Sequence, residues 1–169
     1  GVINMGTLQQ SAGDLILVTN GSGAATVVNN AAIDFGTSNV GGALDVTASA
    51  GTITQNGGAL TVAGTSAFTT STNDQAITLS NTTNALTGAV AFTTGGTTGN
   101  VVIDNGTTAL DLAASTINGT LTATGGASAG IVDSGNVAVA GNVTLTTDAG
   151  NGVINMGTLQ QSAGDLILV

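Results

Sequence analysis

A short pattern, in which a glycine is followed by mostly apolar residues at the second and fourth positions after it, recurs along the whole chain. Six copies are GDLILV, GALDVT, GTSAFT, GAVAFT, GTLTAT and GNVTLT, which begin at Gly13, Gly42, Gly64, Gly88, Gly119 and Gly141. Alternation at a period of two is typical of a strand that buries one face. Because strands this short cannot bury a face alone, the pattern predicts that each strand stacks on its counterpart in the next repeat.

A second series of isoleucines precedes the glycine-started strands by about half a repeat. Glycine, serine or asparagine follows each isoleucine after three residues and marks a corner, and a third apolar piece such as ALTVAG or NVAVAG comes next. The sequence therefore predicts an all-β fold, a right-handed parallel β-helix (β-solenoid) with about six coils in each 151-residue repeat. At about 4.8 Å per coil, one repeat would advance by about 29 Å along the axis. The isoleucines of this series are Ile3, Ile33, Ile53, Ile77, Ile103, Ile131 and Ile154.

The first 18 residues, GVINMGTLQQSAGDLILV, occur again without a change as residues 152–169. This identity predicts that residues 1–151 form one full solenoid repeat and that residues 152–169 begin the next identical repeat. We expect a single continuous solenoid, with self-association by end-to-end continuation of identical repeats.

Charge is carried by nine aspartates alone, since the chain contains no Glu, Lys, Arg or His. Non-specific nucleic-acid affinity comes from basic side chains that neutralise phosphates, so we expect no nucleic-acid partner. The aliphatic runs are far too short to span a bilayer, so we expect no membrane insertion. Cysteine is absent, which excludes disulfides and thiolate metal sites.

Threonine dominates the outward position at the end of the glycine-started strands. The predicted outer ladder consists of Thr47, Thr69, Thr93, Thr124 and Thr146, with Val18 in the same column. Stacked threonines stabilise a pleated sheet, and this is the interpretation we favour. The alternative is a threonine-faced binding module for ice or a crystalline polymer, although the adjacent outward column is mixed in composition.

Ile16 and Val18 differ from the other outward residues, because alternation places Leu15 and Leu17 inside and this aliphatic pair outside. An exposed pair that appears once per repeat is a candidate for lateral contact between neighbouring shafts. Isolated exposed apolar residues are also common on protein surfaces, and that interpretation stays open.

The aspartates are the only titratable side chains that could serve a catalytic or metal site. Asp14 and Asp45 would lie about 7 to 8 Å apart in adjacent coils, a separation that suits an inverting glycosidase. However, no Trp, Tyr, Arg, Lys or His is present to grip a sugar. Asp133, Asp148 and Asn151 are candidate calcium ligands, but no Asp-rich binding loop surrounds them. We therefore expect no catalytic centre, no metal and no cofactor.

Strings such as GTITQNGGALTVAGTSAFTTS and AGIVDSGNVAVAGNVTLTTDAG resemble the coil repeats of giant secreted bacterial exoproteins related to filamentous haemagglutinin. The resemblance covers the whole chain. It implies export to the bacterial cell surface, a right-handed β-helical shaft and an adhesive or fibre-forming role.

From these observations we expect a structural protein, the shaft of an extracellular bacterial fibre or giant adhesin that associates with itself and can bundle laterally. A polysaccharide-processing β-helix enzyme is the least favoured alternative.

Overall fold

In a computed structural model, which describes residues 1–148 and 150–169, every regular element is a β-strand and every strand pairing is parallel. Three sheets form, with eleven, seven and three strands. The chain winds through them in eight turns, so the predicted β-solenoid is confirmed. A single apolar cluster lies inside all the turns.

The eleven-strand sheet contains β1 (Ile3–Leu8), β2 (Ala25–Asn29), β5 (Leu44–Ala48), β8 (Ser66–Asn73), β11 (Val90–Gly95), β13 (Leu110–Leu112), β14 (Ser115–Ile117), β16 (Ile131–Asp133), β17 (Val137–Val139), β19 (Ile154–Asn155) and β20 (Leu159–Gln161). The seven-strand sheet contains β3 (Ile33–Phe35), β6 (Ile53–Gln55), β9 (Ile77–Leu79), β12 (Val101–Asp104), β15 (Leu121–Gly125), β18 (Val143–Thr147) and β21 (Leu166–Leu168). The three-strand sheet contains β4 (Ser38–Val40), β7 (Leu60–Val62) and β10 (Ala85–Leu86).

Most turns between β2 and β18 contain one longer strand and two short ones, and the longer strand changes sheets halfway along the solenoid. The longer strands β2, β5, β8 and β11 lie in the eleven-strand sheet, whereas β12, β15 and β18 lie in the seven-strand sheet. The change occurs at β11, which pairs with both β13 and β14. The two halves of the solenoid are therefore related by a half-turn about its axis.

Matching residues in the two halves are offset by 75 to 78 positions. Leu44 on β5 corresponds to Leu121 on β15, and these strands lie in different sheets. Ser38 and Ser115 also correspond, and each hydroxyl accepts a hydrogen bond from a backbone N–H of the preceding coil at 3.0 Å. The 151-residue repeat is thus built from two half-repeats that each advance by three and a half turns.

The predicted count of about six coils per repeat is wrong, because seven steps of strand pairing separate β1 from β19. The additional coil contains β2, which is not among the six glycine-started copies of the sequence pattern. The predicted isoleucine series is not one column either. Ile33, Ile53 and Ile77 lie on the seven-strand sheet, whereas Ile3, Ile131 and Ile154 lie on the eleven-strand sheet. Ile103 lies on the longer strand β12, where it pairs with Leu79.

Apolar side chains stack along the axis in the interior. Phe68 and Phe92 are register partners, and their rings stack with centroids 5.8 Å apart. Phe35 meets Phe68 edge to face at 6.3 Å. These contacts confirm the expectation that Phe68 and Phe92 fill the core in consecutive coils.

The turn that precedes the seven-strand sheet is built in the same way in both copies of the 18-residue sequence. Gly13 and Gly164 have φ angles of +82° and +86°, a region that favours glycine. The Nε2 group of Gln10 donates to the carbonyl of Asp14, and that of Gln161 donates to the carbonyl of Asp165. The identical sequences thus form the same clamped turn at opposite ends of the structure.

Candidate functional site

The threonines predicted to form one outer ladder lie in two different sheets. Thr47, Thr69 and Thr93 are register partners on the eleven-strand sheet. Thr124 and Thr146 are partners on the seven-strand sheet. The prediction of a single ladder is therefore wrong, because the half-turn shift moves the longer strands from one sheet to the other.

The first threonine column is a narrow ridge. It continues from Thr93 to Thr116 on β14, so it extends over four coils. The outward column beside it contains Asp45, Ala67 and Ala91, which differ in size and charge. This part of the surface does not offer a regular two-dimensional array of hydroxyl groups.

The seven-strand sheet contains a compact threonine patch. Thr122 pairs with Thr144, and Thr124 pairs with Thr146, so four hydroxyl groups form a two-by-two arrangement. Two coils supply it, and the coils on either side have other residues at these positions. The flanking outward pairs are Val102 with Asp104 and Ile167 with Val169.

The candidate lateral-contact residues point away from the core. Ile16 and Val18 are 60% and 65% exposed, whereas Leu17 between them is buried. Their copies, Ile167 and Val169, are also exposed. Ile16 lies against the backbone of Gly36, which leaves its outer surface uncovered. The predicted outward orientation of the pair is therefore confirmed, and its role in lateral contact stays a prediction.

The two carboxylates considered for glycoside hydrolysis do not come together. Asp14 precedes Leu15, which bridges to Phe35 of the seven-strand sheet. Asp45 lies in the eleven-strand sheet, where its partners are Thr26 and Ala67. The expected diagonal separation is therefore wrong, because the two residues belong to different sheets and not to adjacent rungs of one sheet.

Asp74 joins two coils at a corner. It adopts a φ angle of +63°, and its Oδ1 accepts hydrogen bonds from the backbone N–H groups of Thr97 and Thr98 at 2.7 and 2.8 Å. These hydrogen bonds stabilise the carboxylate and lower the pKa of Asp74. The bond from the Thr97 N–H has the largest effect. Asp74 therefore acts as an ionised clamp between successive turns.

Asp133 makes the equivalent connection nearer the C-terminus. Its oxygens accept hydrogen bonds from the N–H groups of Gly157 and Thr158 and from the Thr158 hydroxyl, at 2.6 to 2.7 Å. Desolvation raises the pKa of Asp133, but the hydrogen bonds from Thr158 and Gly157 outweigh it and leave the pKa below its usual value. Both carboxylate oxygens are therefore engaged in joining coils.

Buried asparagines serve the same purpose inside the solenoid and were not identified from the sequence. The side-chain amide of Asn105 accepts from the N–H of Leu86 and donates to the carbonyl of the same residue, at 2.8 and 3.0 Å. Asn29 makes the matching pair of bonds to Gln10. At a corner, each side-chain amide thus makes the pair of hydrogen bonds that a backbone segment would make within a sheet. The signal in the sequence is the recurrence of asparagine at a 76-residue offset.

Within residues 1–148 and 150–169, no cluster of three or more His, Cys, Asp or Glu side chains could hold a metal ion. Asp133, one of the calcium candidates, accepts hydrogen bonds from Gly157 and Thr158 of the next coil. In the same part of the chain, no helix is long and apolar enough to cross a membrane.

Surface depressions follow the coils rather than forming an enclosed site. One of about 260 Å³ extends along three coils and is lined by polar and apolar residues that include Asn118, Val139 and Ser162. Another, of about 430 Å³, lies on the last coil and is lined by Leu145, Met156 and Leu168. Neither lining contains a carboxylate, so neither brings together the groups that acid–base catalysis requires.

A family model described as "Repeats of unknown function (DUF5649)" matches residues 22–93 and 98–167. The two matches correspond to the two half-repeats of the structure. Because together they cover most of the chain, the chain belongs to this family. No curated protein and no solved structure gave a significant match.

Proposed function

We propose that this member of the repeat family is a structural segment, the shaft of an extracellular bacterial fibre or giant cell-surface adhesin. The observation that supports the proposal most strongly is the seven-strand sheet, which continues from β3 to β21 without a break. Its hydrogen bonds run along the solenoid axis, so bending or stretching the shaft would strain many of them together.

The sequence adds two features that suit a repetitive fibre. The same clamped turn occurs 151 residues apart, so identical repeats can continue the same sheets. The chain also contains no Lys or Arg and therefore no site for trypsin-like proteases. Self-association by end-to-end continuation is part of this proposal, and so is the bacterial cell surface as its location.

The threonine-faced binding module is the second candidate, and the two-by-two patch on β15 and β18 favours it. The patch spans two coils, about 5 Å from rung to rung. Recognition of a crystal lattice requires regularity over a longer distance. A thermal-hysteresis measurement on the chain, beside a Thr122→Ala and Thr144→Ala variant, distinguishes the two functions.

Electron microscopy of tandem arrays tests the shaft proposal. We expect arrays of four repeats to form straight, unbranched rods of constant width. Collapsed or flexible beaded particles would contradict it. Antibody labelling of intact, unpermeabilised cells of the source organism tests the location, and labelling only after permeabilisation would contradict export.

A further inference from the structure

The 18-residue sequence that occurs twice in the chain can bind a neighbouring coil on either of its two sides. Residues 1–18 are covered by the coil of residues 19–40, in which β2 pairs with β1. Residues 152–169 rest instead on the coil that precedes them, which contains β16, β17 and β18. Among the described residues, each copy therefore uses one side and leaves the other uncovered.

The contacts between the first copy and the coil that covers it are made by groups that both copies possess. The Leu15 N–H donates to the carbonyl of Asp34 at 2.7 Å, and the Leu17 N–H donates to the Ser38 hydroxyl at 3.0 Å. Residues 152–169 have the same sequence and the same clamped turn. They can therefore make the same contacts with the same partner sequence.

The second copy presents this side without a cover. Leu166 and Leu168 are 50% and 56% exposed, and both line the depression of about 430 Å³ on the last coil. The first copy shows which sequence fits here, because residues 19–40 cover Leu17, the counterpart of Leu168.

We propose that residues 152–169 of one chain displace residues 1–18 of a second copy of the chain and take their place on its residues 19–40. The inference rests on the proposed function and gives its end-to-end continuation a mechanism. Exchange of an identical element is a low-cost route to association, because it reuses contacts that the single chain already makes. Since the exchange joins chains head to tail along the solenoid axis, it produces an open filament.

Carboxylates disfavour the alternative, in which the two copies of the segment stack directly on each other and nothing is displaced. The parallel bridge between Leu15 and Phe35 places the preceding residues, Asp14 and Asp34, on successive rungs. Direct stacking would add Asp165 as a third carboxylate beside them, and the chain has no Lys, Arg or His to offset it. Exchange puts Asp165 in the place of Asp14, so the number of neighbouring carboxylates stays at two.

Exchange also leaves the number of coil-to-coil contacts unchanged, because one copy of the segment leaves as an identical copy arrives. The displaced residues 1–18 regain conformational freedom, which offsets part of the entropy that two chains lose when they join. The net charge of −9 on each chain opposes their approach, and salt screens this repulsion. Assembly should therefore increase with protein concentration and with salt concentration.

The test measures the sedimentation of the chain of residues 1–169 over a range of concentrations at high salt, with the same leucine replaced in either copy. Leu168→Ala weakens the incoming copy, whereas Leu17→Ala weakens the resident copy that has to leave. We expect Leu168→Ala to raise the concentration required for assembly at least tenfold and Leu17→Ala to lower it at least tenfold. Circular dichroism checks that both variants keep the β-structure of the parent.

A second variant holds the resident copy in place. Val18 and Asn39 are bridge partners, so Val18→Cys combined with Asn39→Cys allows a disulfide between residues 1–18 and the coil that covers them. The oxidised chain should remain monomeric. The reduced form is the matched control and should assemble as the parent does.

Loss of assembly in both leucine variants would indicate direct stacking and would overturn the exchange, and so would assembly of the oxidised chain. A parent chain that remains monomeric at every protein and salt concentration would overturn it as well. None of these results affects the shaft function, which covalently joined repeats test by forming straight rods. Joined repeats that form no rods would contradict the shaft function itself.

Discussion

Leu17 and Leu168 occupy the same position in the two copies of the 18-residue sequence, yet Leu17 is 3% exposed and Leu168 is 56% exposed. A following coil covers Leu17, whose backbone N–H donates to the Ser38 hydroxyl at 3.0 Å. Leu168 rests on Leu145 of the preceding coil. The difference shows how much of the burial of each rung comes from the coil that follows it.

An added coil should therefore bury Leu168. We expect that extending the chain after Val169 with a copy of residues 19–40 will slow thiol labelling of a Leu168→Cys variant by at least tenfold, because the new coil covers this position. Labelling of Leu17→Cys, the matched control, should be slow with and without the extension. Equally fast labelling of Leu168→Cys in the extended chain would show that the added sequence does not continue the solenoid.

Two buried serines should respond in opposite ways to replacement by alanine. The Ser66 hydroxyl has no hydrogen-bond partner among the described residues, whereas the Ser115 hydroxyl accepts from the N–H of Phe92 and donates to the carbonyl of Ala113. We expect Ser115→Ala to lower the free energy of unfolding by about 1–3 kcal/mol and Ser66→Ala to leave it unchanged or raise it by up to about 1 kcal/mol. Urea unfolding measures both, and a larger loss in Ser66→Ala than in Ser115→Ala would contradict this account.

The buried amide of Asn105 should be more important to stability than an exposed one. Replacing Asn105 with alanine leaves the buried N–H and carbonyl of Leu86 without their partner, which we expect to lower the free energy of unfolding by about 2–5 kcal/mol. Asn136 is exposed, and Asn136→Ala should change the free energy by less than about 0.5 kcal/mol. Equal effects of the two substitutions in urea unfolding would refute the proposed role of the amide.

The alternation of apolar residues made the strands and their stacking predictable. The inward positions of Phe68 and Phe92 and the outward position of Ile16 follow from the two-residue period alone. The number of coils was harder to predict, because β2 begins with Ala25 and its small side chain obscured a pattern that begins at Gly23. A similar pattern at Gly99 was assigned to the isoleucine series.

The threonine ladder could not be predicted for a different reason. Sequence spacing gives the position of a residue within a strand but does not show which sheet the strand joins. Gly99 lies 11 residues after Gly88, half of a coil, and this short step moves the following strands to the other sheet. Thr93 and Thr124 therefore share a sequence pattern without sharing a column.

Acid should weaken the corner clamps. The pKa values of Asp74 and Asp133 are lower in the folded chain than in the unfolded chain. Their ionised carboxylates therefore stabilise the folded chain above the unfolded pKa of about 4. This stabilisation is lost as the pH falls through the folded pKa values. We expect Asp74→Asn and Asp133→Asn to reduce the melting temperature at pH 7 and to flatten its decrease between about pH 4 and pH 2.

Asp45→Asn is the control for the removal of one charge, since Asp45 lies exposed on β5 of the eleven-strand sheet. It should retain the acid dependence of the parent. Thermal melts followed by circular dichroism across this pH range measure the effect, and parallel curves for the parent and the two clamp variants would count against these carboxylates as clamps.

The most direct test of the central claim is the length of rods formed by tandem arrays of one to six 151-residue repeats, measured by small-angle X-ray scattering and electron microscopy. Seven coils per repeat predict that each added repeat lengthens the rod by about 34 Å at constant cross-section. An increment of about 29 Å, as expected for six coils, or a cross-section that grows with the number of repeats would contradict the seven-coil solenoid shaft.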